Sequence, residues 1–223
     1  MHTIARLAAL AASLAAATPA LANNDTQYWR TIQLNAKLAD QWTLSNETVF
    51  RSSDAKGFYE IENATLIGYK PVKGVTVAAG YVGNPLFNHG DYTTWEHRLR
   101  SQVTFDNFLA LGPVKLTGRA RIESRWRDNA PGNGWRLRPY IKASVPVRGK
   151  TVLNLTHEDF INLNTTSFQK VDGLERMRNA ILLNTPIGKG VAMEFGYLNQ
   201  HGFVRNGTDT SDNVLMLQVN ASF

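Results

Sequence analysis

Apolar and polar residues alternate with a period of two along most of this chain, and the pattern is cleanest in residues 213–223. There Leu215, Leu217, Val219, Ala221 and Phe223 share one face of an extended strand, while Gln218, Asn220 and Ser222 share the other. An apolar face that ends on a terminal aromatic predicts a lipid-facing strand that closes a sheet. The same alternation predicts strands at about 42–51, 58–69, 75–83, 93–106, 113–127, 135–146, 151–160, 172–185 and 190–201. Several run to roughly ten residues or more, the length a tilted strand needs to cross an outer membrane. No segment carries a helical period.

One more alternating segment, 28–38, sets Tyr28, Ile32, Leu34, Ala36 and Leu38 against Thr31, Gln33, Asn35 and Lys37, with Arg30 interrupting its apolar face. An even strand number keeps all neighbours antiparallel, so this segment is in surplus. The expected fold is all-β, a single transmembrane antiparallel β-barrel of about ten strands. Twelve strands are the alternative, and 28–38 is otherwise read as a lumenal or periplasmic arm. With Phe223 at the periplasmic rim, Pro186–Gly190, Pro146–Lys150, Asn107–Gly112 and Pro71–Gly74 fall on the short-turn side. Residues 202–212, 161–171, 128–134, 84–92 and 52–57 are expected to form the more polar links on the other side.

The amino end changes the picture from a sheet to an exported one. His2 and Arg6 precede an apolar run from Leu7 to Ala17, and Ala20-Leu21-Ala22 presents small residues for cleavage before Asn23. Residues 1–22 are therefore expected to be a signal peptide and 23–223 an outer-membrane barrel. The apolar run is too short for a spanning helix, so strands must do any spanning. Removing Arg6 lowers the formal charge from +6 to +5. An exported basic chain points away from nucleic acid and toward anionic solutes and lipopolysaccharide. The chain has no cysteine, so strand pairing holds it without disulfides. Trp42, Phe50, Tyr59, Tyr69, Tyr81, Trp95, Phe105, Trp126, Trp135 and Phe223 lie near the strand ends, as two interfacial belts would place them.

Candidate chemistry lies on the face opposite the apolar phase. Glu96, Arg98 and Arg100 alternate with Trp95, His97 and Leu99; Arg119, Arg121, Glu123 and Arg125 alternate with Ala120, Ile122 and Trp126. Arg136 and Arg138 follow, then Arg176 and Arg178, with Glu60 and Glu62 on an earlier strand. A charge facing lipid costs about 2–4 kcal/mol near the midplane, so these side chains are expected to line the lumen. With Arg51, Lys115, Arg127 and Lys142, the inward bases number thirteen; with Glu47, Glu158 and Glu194, the inward acids number seven.

Three functions follow from such a lumen: a narrow anion-favouring pore or solute-binding barrel, a barrel closed by Arg–Glu pairing that serves structure or a partner, and a lipid-modifying enzyme. The third lacks its chemistry. No Gly-x-Ser-x-Gly or His-Glu-x-x-His motif occurs, and His157, Glu158 and Asp159 are consecutive, so a strand sends the middle one to the opposite face. Asp209 and Asp212 are read as solvated loop charges rather than a cation site. No cofactor or metal is expected.

The order of several short elements resembles a family of uncharacterised outer-membrane barrels, domain of unknown function 2490. They are Trp42 with Glu47 and Arg51, Trp95-Glu96-His97-Arg98-Leu99-Arg100, Arg119-Ala120-Arg121-Ile122-Glu123, Arg136-Leu137-Arg138-Pro139, Arg176-Met177-Arg178-Asn179 and Glu194-Phe195-Gly196-Tyr197-Leu198. The resemblance implies outer-membrane location, and a carboxyl-terminal strand ending at Phe223 implies recognition by the barrel assembly machinery. A looser similarity to porins for acidic oligosaccharides implies an arginine-lined path for such solutes.

Overall fold

A computed structural model describes residues 23–223, so the expected signal segment lies outside the described residues. Eleven strands follow one another: β1 (Asn23–Lys37), β2 (Trp42–Ser53), β3 (Gly57–Val72), β4 (Val75–Asn88), β5 (Asp91–Leu111), β6 (Val114–Arg127), β7 (Ala130–Arg148), β8 (Thr151–Asn162), β9 (Gly173–Gly188), β10 (Val191–Gly202) and β11 (Thr210–Ser222). Each pairs with the next, and β1 pairs with β11 to close the barrel.

The expected barrel is present, with a strand number between the two figures considered. The surplus segment 28–38 is neither a lumenal nor a periplasmic arm; it is the greater part of β1. An odd meander leaves its first and last strands pointing the same way, so closure is parallel, from Asn23 opposite Thr210 to Asn35 opposite Ser222. The seam works because the side-chain phases agree. Tyr28, Ile32 and Leu34 stand opposite Leu215, Val219 and Ala221 on the outer face, while Trp29 and Thr31 stand opposite Met216 and Gln218 on the inner.

The links are more unequal than the sequence suggests. The chain joins β4 to β5 through His89 and Gly90, and β6 to β7 through Asp128 and Asn129, so the expected loops 84–92 and 128–134 are mostly strand. Only 163–172 and 203–209 are long. Asn107–Gly112 is likewise mostly β5, which runs on to Leu111 through a register shift between Phe105 and Leu109.

Burial is inverted relative to a water-soluble domain. Glu96 and Glu123 are 0 % exposed and Arg100 is 1 %, whereas Leu99 and Leu215 are each 56 % exposed on the outside. Aromatics gather at both ends of the wall. Trp42 meets Tyr69 at 4.8 Å near the short turns. At the other end His97 stacks on Trp126 at 5.4 Å and bonds the Tyr81 hydroxyl at 2.6 Å. Tyr59 is the exception among the aromatics expected to face outward: a register shift beside it turns its hydroxyl inward to Gln27 at 2.7 Å. The small apolar core inside the barrel is Trp29 against Val49, Ala180, Leu182, Leu198 and Val214.

Candidate functional site

Period-two alternation on adjacent strands stacks the inward charges into rows across the barrel wall. Some rows set like charges directly opposite each other, as with Arg98 and Arg125, or Arg121 and Arg138. Such pairs repel, and a carboxylate that enters between them offsets the repulsion. Glu96 does this for the first pair, lying 2.7 Å from Arg98 Nε and 2.9 Å from Arg125 Nη2, and it also holds Arg127 at 2.7 Å.

The same device repeats across the lumen. Glu62 accepts from Arg51 at 3.2 Å, Arg98 at 3.0 Å and Arg100 at 2.6 Å. Glu123 takes Arg100 at 2.8 Å, Arg136 at 2.6 Å and Arg138 at 3.1 Å. Glu158 takes Arg138 at 2.9 Å and Arg119 at 2.5 Å, and Glu60 takes Arg51 at 2.7 Å. Arg98 also donates to the Asn84 side chain. Because Arg98, Arg100 and Arg138 each touch two carboxylates at 3.1 Å or less, the whole forms one connected lattice from Glu60 to Arg119. Fork geometry suits arginine to this bridging; lysine, a point charge, serves it poorly.

The lattice is not neutral. Eight guanidiniums share five carboxylates in it. Two more arginines are buried beside it without a carboxylate in ion-pair contact among the described residues. Arg121 Nε donates to Gln102 at 2.9 Å, and Arg178 Nε donates to Gln200 at 2.8 Å. Arg138, the partner opposite Arg121, donates its hydrogen bonds to Glu123 and Glu158, so the like-charge pair stays unresolved on the Arg121 side. Arg178 lies between the rings of Trp29, 4.6 Å from its guanidinium carbon, and Phe160, 4.5 Å away. Arg136, Arg138 and Arg176 also stand around Phe160, at 5.0, 4.2 and 5.7 Å, so π faces carry part of the surplus charge.

Two cavities flank this layer. A vestibule of about 690 Å³ opens toward the long links and is lined by Arg127, Arg176 and Lys56 among others. A chamber of about 180 Å³ lies toward the short turns and is lined by Arg119, Arg121 and Glu194. Trp29, Arg51, Glu62, Arg138 and Arg178 line both, so they form the partition between them.

Every arginine and glutamate proposed for the lumen from its phase lies there, although Arg119, Arg127 and Arg176 are only partly enclosed, with side chains 19 %, 26 % and 31 % exposed. Three residues of the site carry no clear signal in the sequence. Trp29 and Phe160 are aromatic, as outward residues of a membrane strand usually are, yet each shares phase with inward polar neighbours, Gln27 and Thr31 for the first and Glu158 for the second. Glu175, which contacts Arg176 at 3.1 Å, lies at the start of β9 where the phase is hard to count. His157 and Asp159 meet at 3.1 Å on the outer face while Glu158 points inward, so the three consecutive residues do not assemble. Asp209 lies 3.4 Å from His201, and Asp212 accepts from Gln200 at 2.8 Å. Among the described residues no cluster of three or more metal-ligating side chains occurs.

The family described as protein of unknown function DUF2490 has a model that matches residues 26–211. The chain belongs to that family. An uncharacterised protein of Methylorubrum extorquens is 33 % identical over 110 residues, and the chain spans about half the length of that relative, 48 % of each chain being covered. Among solved structures the NanC porin superposes with a TM-score of 0.53 at 13 % identity, covering 89 % of this chain and 99 % of its own. That likeness concerns the fold: an all-β, porin-like closed barrel.

Proposed function

We propose that the DUF2490 barrel described above sits in the outer membrane after export and acts as a narrow, anion-favouring solute-binding pore. Anions enter the vestibule, exchange with the surplus guanidiniums at the partition, and leave through the lower chamber. The single observation that carries this reading is the pair of buried cations, Arg121 and Arg178, which no carboxylate within ion-pair distance neutralises among the described residues. A buried guanidinium without a counter-charge is costly, and an exchangeable anion supplies the charge that the lattice lacks. A vestibule of about 690 Å³ lies in the size range of small-molecule sites. The porin named in the structural comparison adds support for passage rather than chemistry. In this reading the outer wall meets lipid and lipopolysaccharide, and the strand ending at Phe223 engages the barrel assembly machinery.

The partition favours a second reading, a closed barrel that serves structure or a partner, because Glu62 ties Arg51, Arg98 and Arg100 across the lumen. Planar-bilayer recording separates the two. The pore reading expects small, anion-preferring conductance that loses preference when Arg121 and Arg178 are replaced together by Gln. No conductance beside a conducting porin control would remove the pore and leave the closed barrel.

A further inference from the structure

The outer face of β1 to β3 carries polar groups that an apolar wall does not need. Asn46 and Thr48 on β2 stand opposite Thr65 and Asn63 on β3, all four in the outward phase between the buried Val49, Glu62, Ala64 and Leu66. They bond one another: Asn46 Nδ2 donates to Thr65 Oγ1 at 2.8 Å and to Asn63 Oδ1 at 3.3 Å, Asn63 Nδ2 donates to Thr48 Oγ1 at 2.7 Å, and Thr48 donates to Asn46 Oδ1 at 3.3 Å. Spare acceptor capacity remains on Asn63, Thr48 and Thr65, since each of these oxygens has two lone pairs and uses one. Apolar residues surround the cluster. Leu44 and Ile67 lie toward the short turns, Phe50 and Ile61 toward the loops, and Ile32 and Leu34 on β1 beside it.

Next to this acceptor-rich island stands its complement. Arg30 is exposed on the outer face of β1, opposite Phe50 on one side and Leu217 on the other, one outward position from Ile32, which pairs with Thr48. Among the described residues no side chain bonds to its guanidinium. An unpaired arginine on a lipid-facing strand costs about 2–4 kcal/mol near the midplane, and hydrocarbon offers the island nothing to accept from or donate to.

We propose that the outer face of β1 to β3 is a homodimer interface within the membrane. Two copies share one up-down orientation in a bilayer, so their two-fold axis runs along the membrane normal and their contact is isologous. An axis near Ile32 brings Arg30 of each copy to the other's Asn63, Thr48 and Thr65, while the two like charges stay on opposite sides of the axis. A donor surplus then meets an acceptor surplus twice, which is the reason to choose a second copy over lipid. The proposal rests on the membrane reading above.

The chain has no cysteine, so a single introduced thiol reports unambiguously. Ile32→Cys in isolated outer membranes is expected to oxidise to a disulfide-linked dimer, while Ile141→Cys, exposed on the opposite wall, stays monomeric. In detergent the wild-type chain is expected to sediment as a dimer. The Arg30→Leu/Asn63→Leu variant, checked for folding by heat-modifiable mobility, should dimerise roughly tenfold or more weakly, the scale several membrane hydrogen bonds together supply. A membrane-inserted Ile32→Cys that stays monomeric or links to another protein would overturn the dimer, as would a folded double variant that dimerises like wild type. Absence of the chain from the membrane fraction would overturn the membrane reading, and the dimer with it.

Discussion

At Glu123 one fully buried carboxylate accepts hydrogen bonds from Arg100, Arg136 and Arg138, arginines of two different strands. Removing its charge leaves three buried guanidiniums facing one another without it. Glu123→Gln is therefore expected to lower barrel stability by about 3–5 kcal/mol, read as a shift in the urea midpoint of the heat-modifiable band. Glu194→Gln is the control, because among the described residues the Glu194 carboxylate accepts a side-chain hydrogen bond only from Asn154 Nδ2, at 2.7 Å, with no arginine within ion-pair distance. Equal shifts for the two would mean that the lattice is not what holds the lumen. The charged half of this site is legible in the sequence, since phase alone separates Arg98 from Leu99 and Glu123 from Ile122. The aromatic half is not. Trp29 and Phe160 obey the same phase rule, but a large ring in a membrane strand reads as outward unless its inward job, covering a guanidinium, is already known.

Among the elements, β1 shows where a parity argument fails. Its alternation marks it as a strand, and the preference for even strand numbers then argues it out of the sheet. Parallel pairing with β11 restores it, because the register matches side-chain phase across thirteen residue pairs, outward with outward and inward with inward. Loop lengths are overestimated for a related reason. Gly, Asn and Asp in 84–92 and 128–134 read as loop, while the actual turns need only His89-Gly90 and Asp128-Asn129. Where strands approach closely, the constraint is sharper. A Cβ added at Gly196 on β10 would lie 2.1 Å from the Ile181 carbonyl oxygen and 2.9 Å from the Leu182 Cα on β9, and backbone cannot yield as a side-chain tip does. Gly196→Ala is expected to cost about 3 kcal/mol or more and to reduce the folded band in a refolding assay. The equivalent change at Gly112, which has open space around its Cβ position, tests only its positive φ of 61° and should be milder.

For the whole molecule the decisive property is the inversion of burial. Guanidiniums and carboxylates occupy the interior, and leucines, isoleucines and aromatics cover the exterior, the distribution expected of a wall that faces hydrocarbon. The proposed passage of anions and the proposed pairing of two copies through β1 to β3 both depend on it. The five tryptophans allow a direct test, because Trp29 faces the lumen at 4 % exposure whereas Trp42 stands on the outer wall at 46 %. Single-tryptophan variants, the other four replaced by Phe, can be reconstituted in bilayers containing brominated acyl chains and their fluorescence quenching compared. The inverted barrel predicts strong quenching of the Trp42-only protein and near absence of quenching in the Trp29-only protein. Quenching of Trp29 as strong as that of Trp42, or no quenching of Trp42 at all, would contradict it.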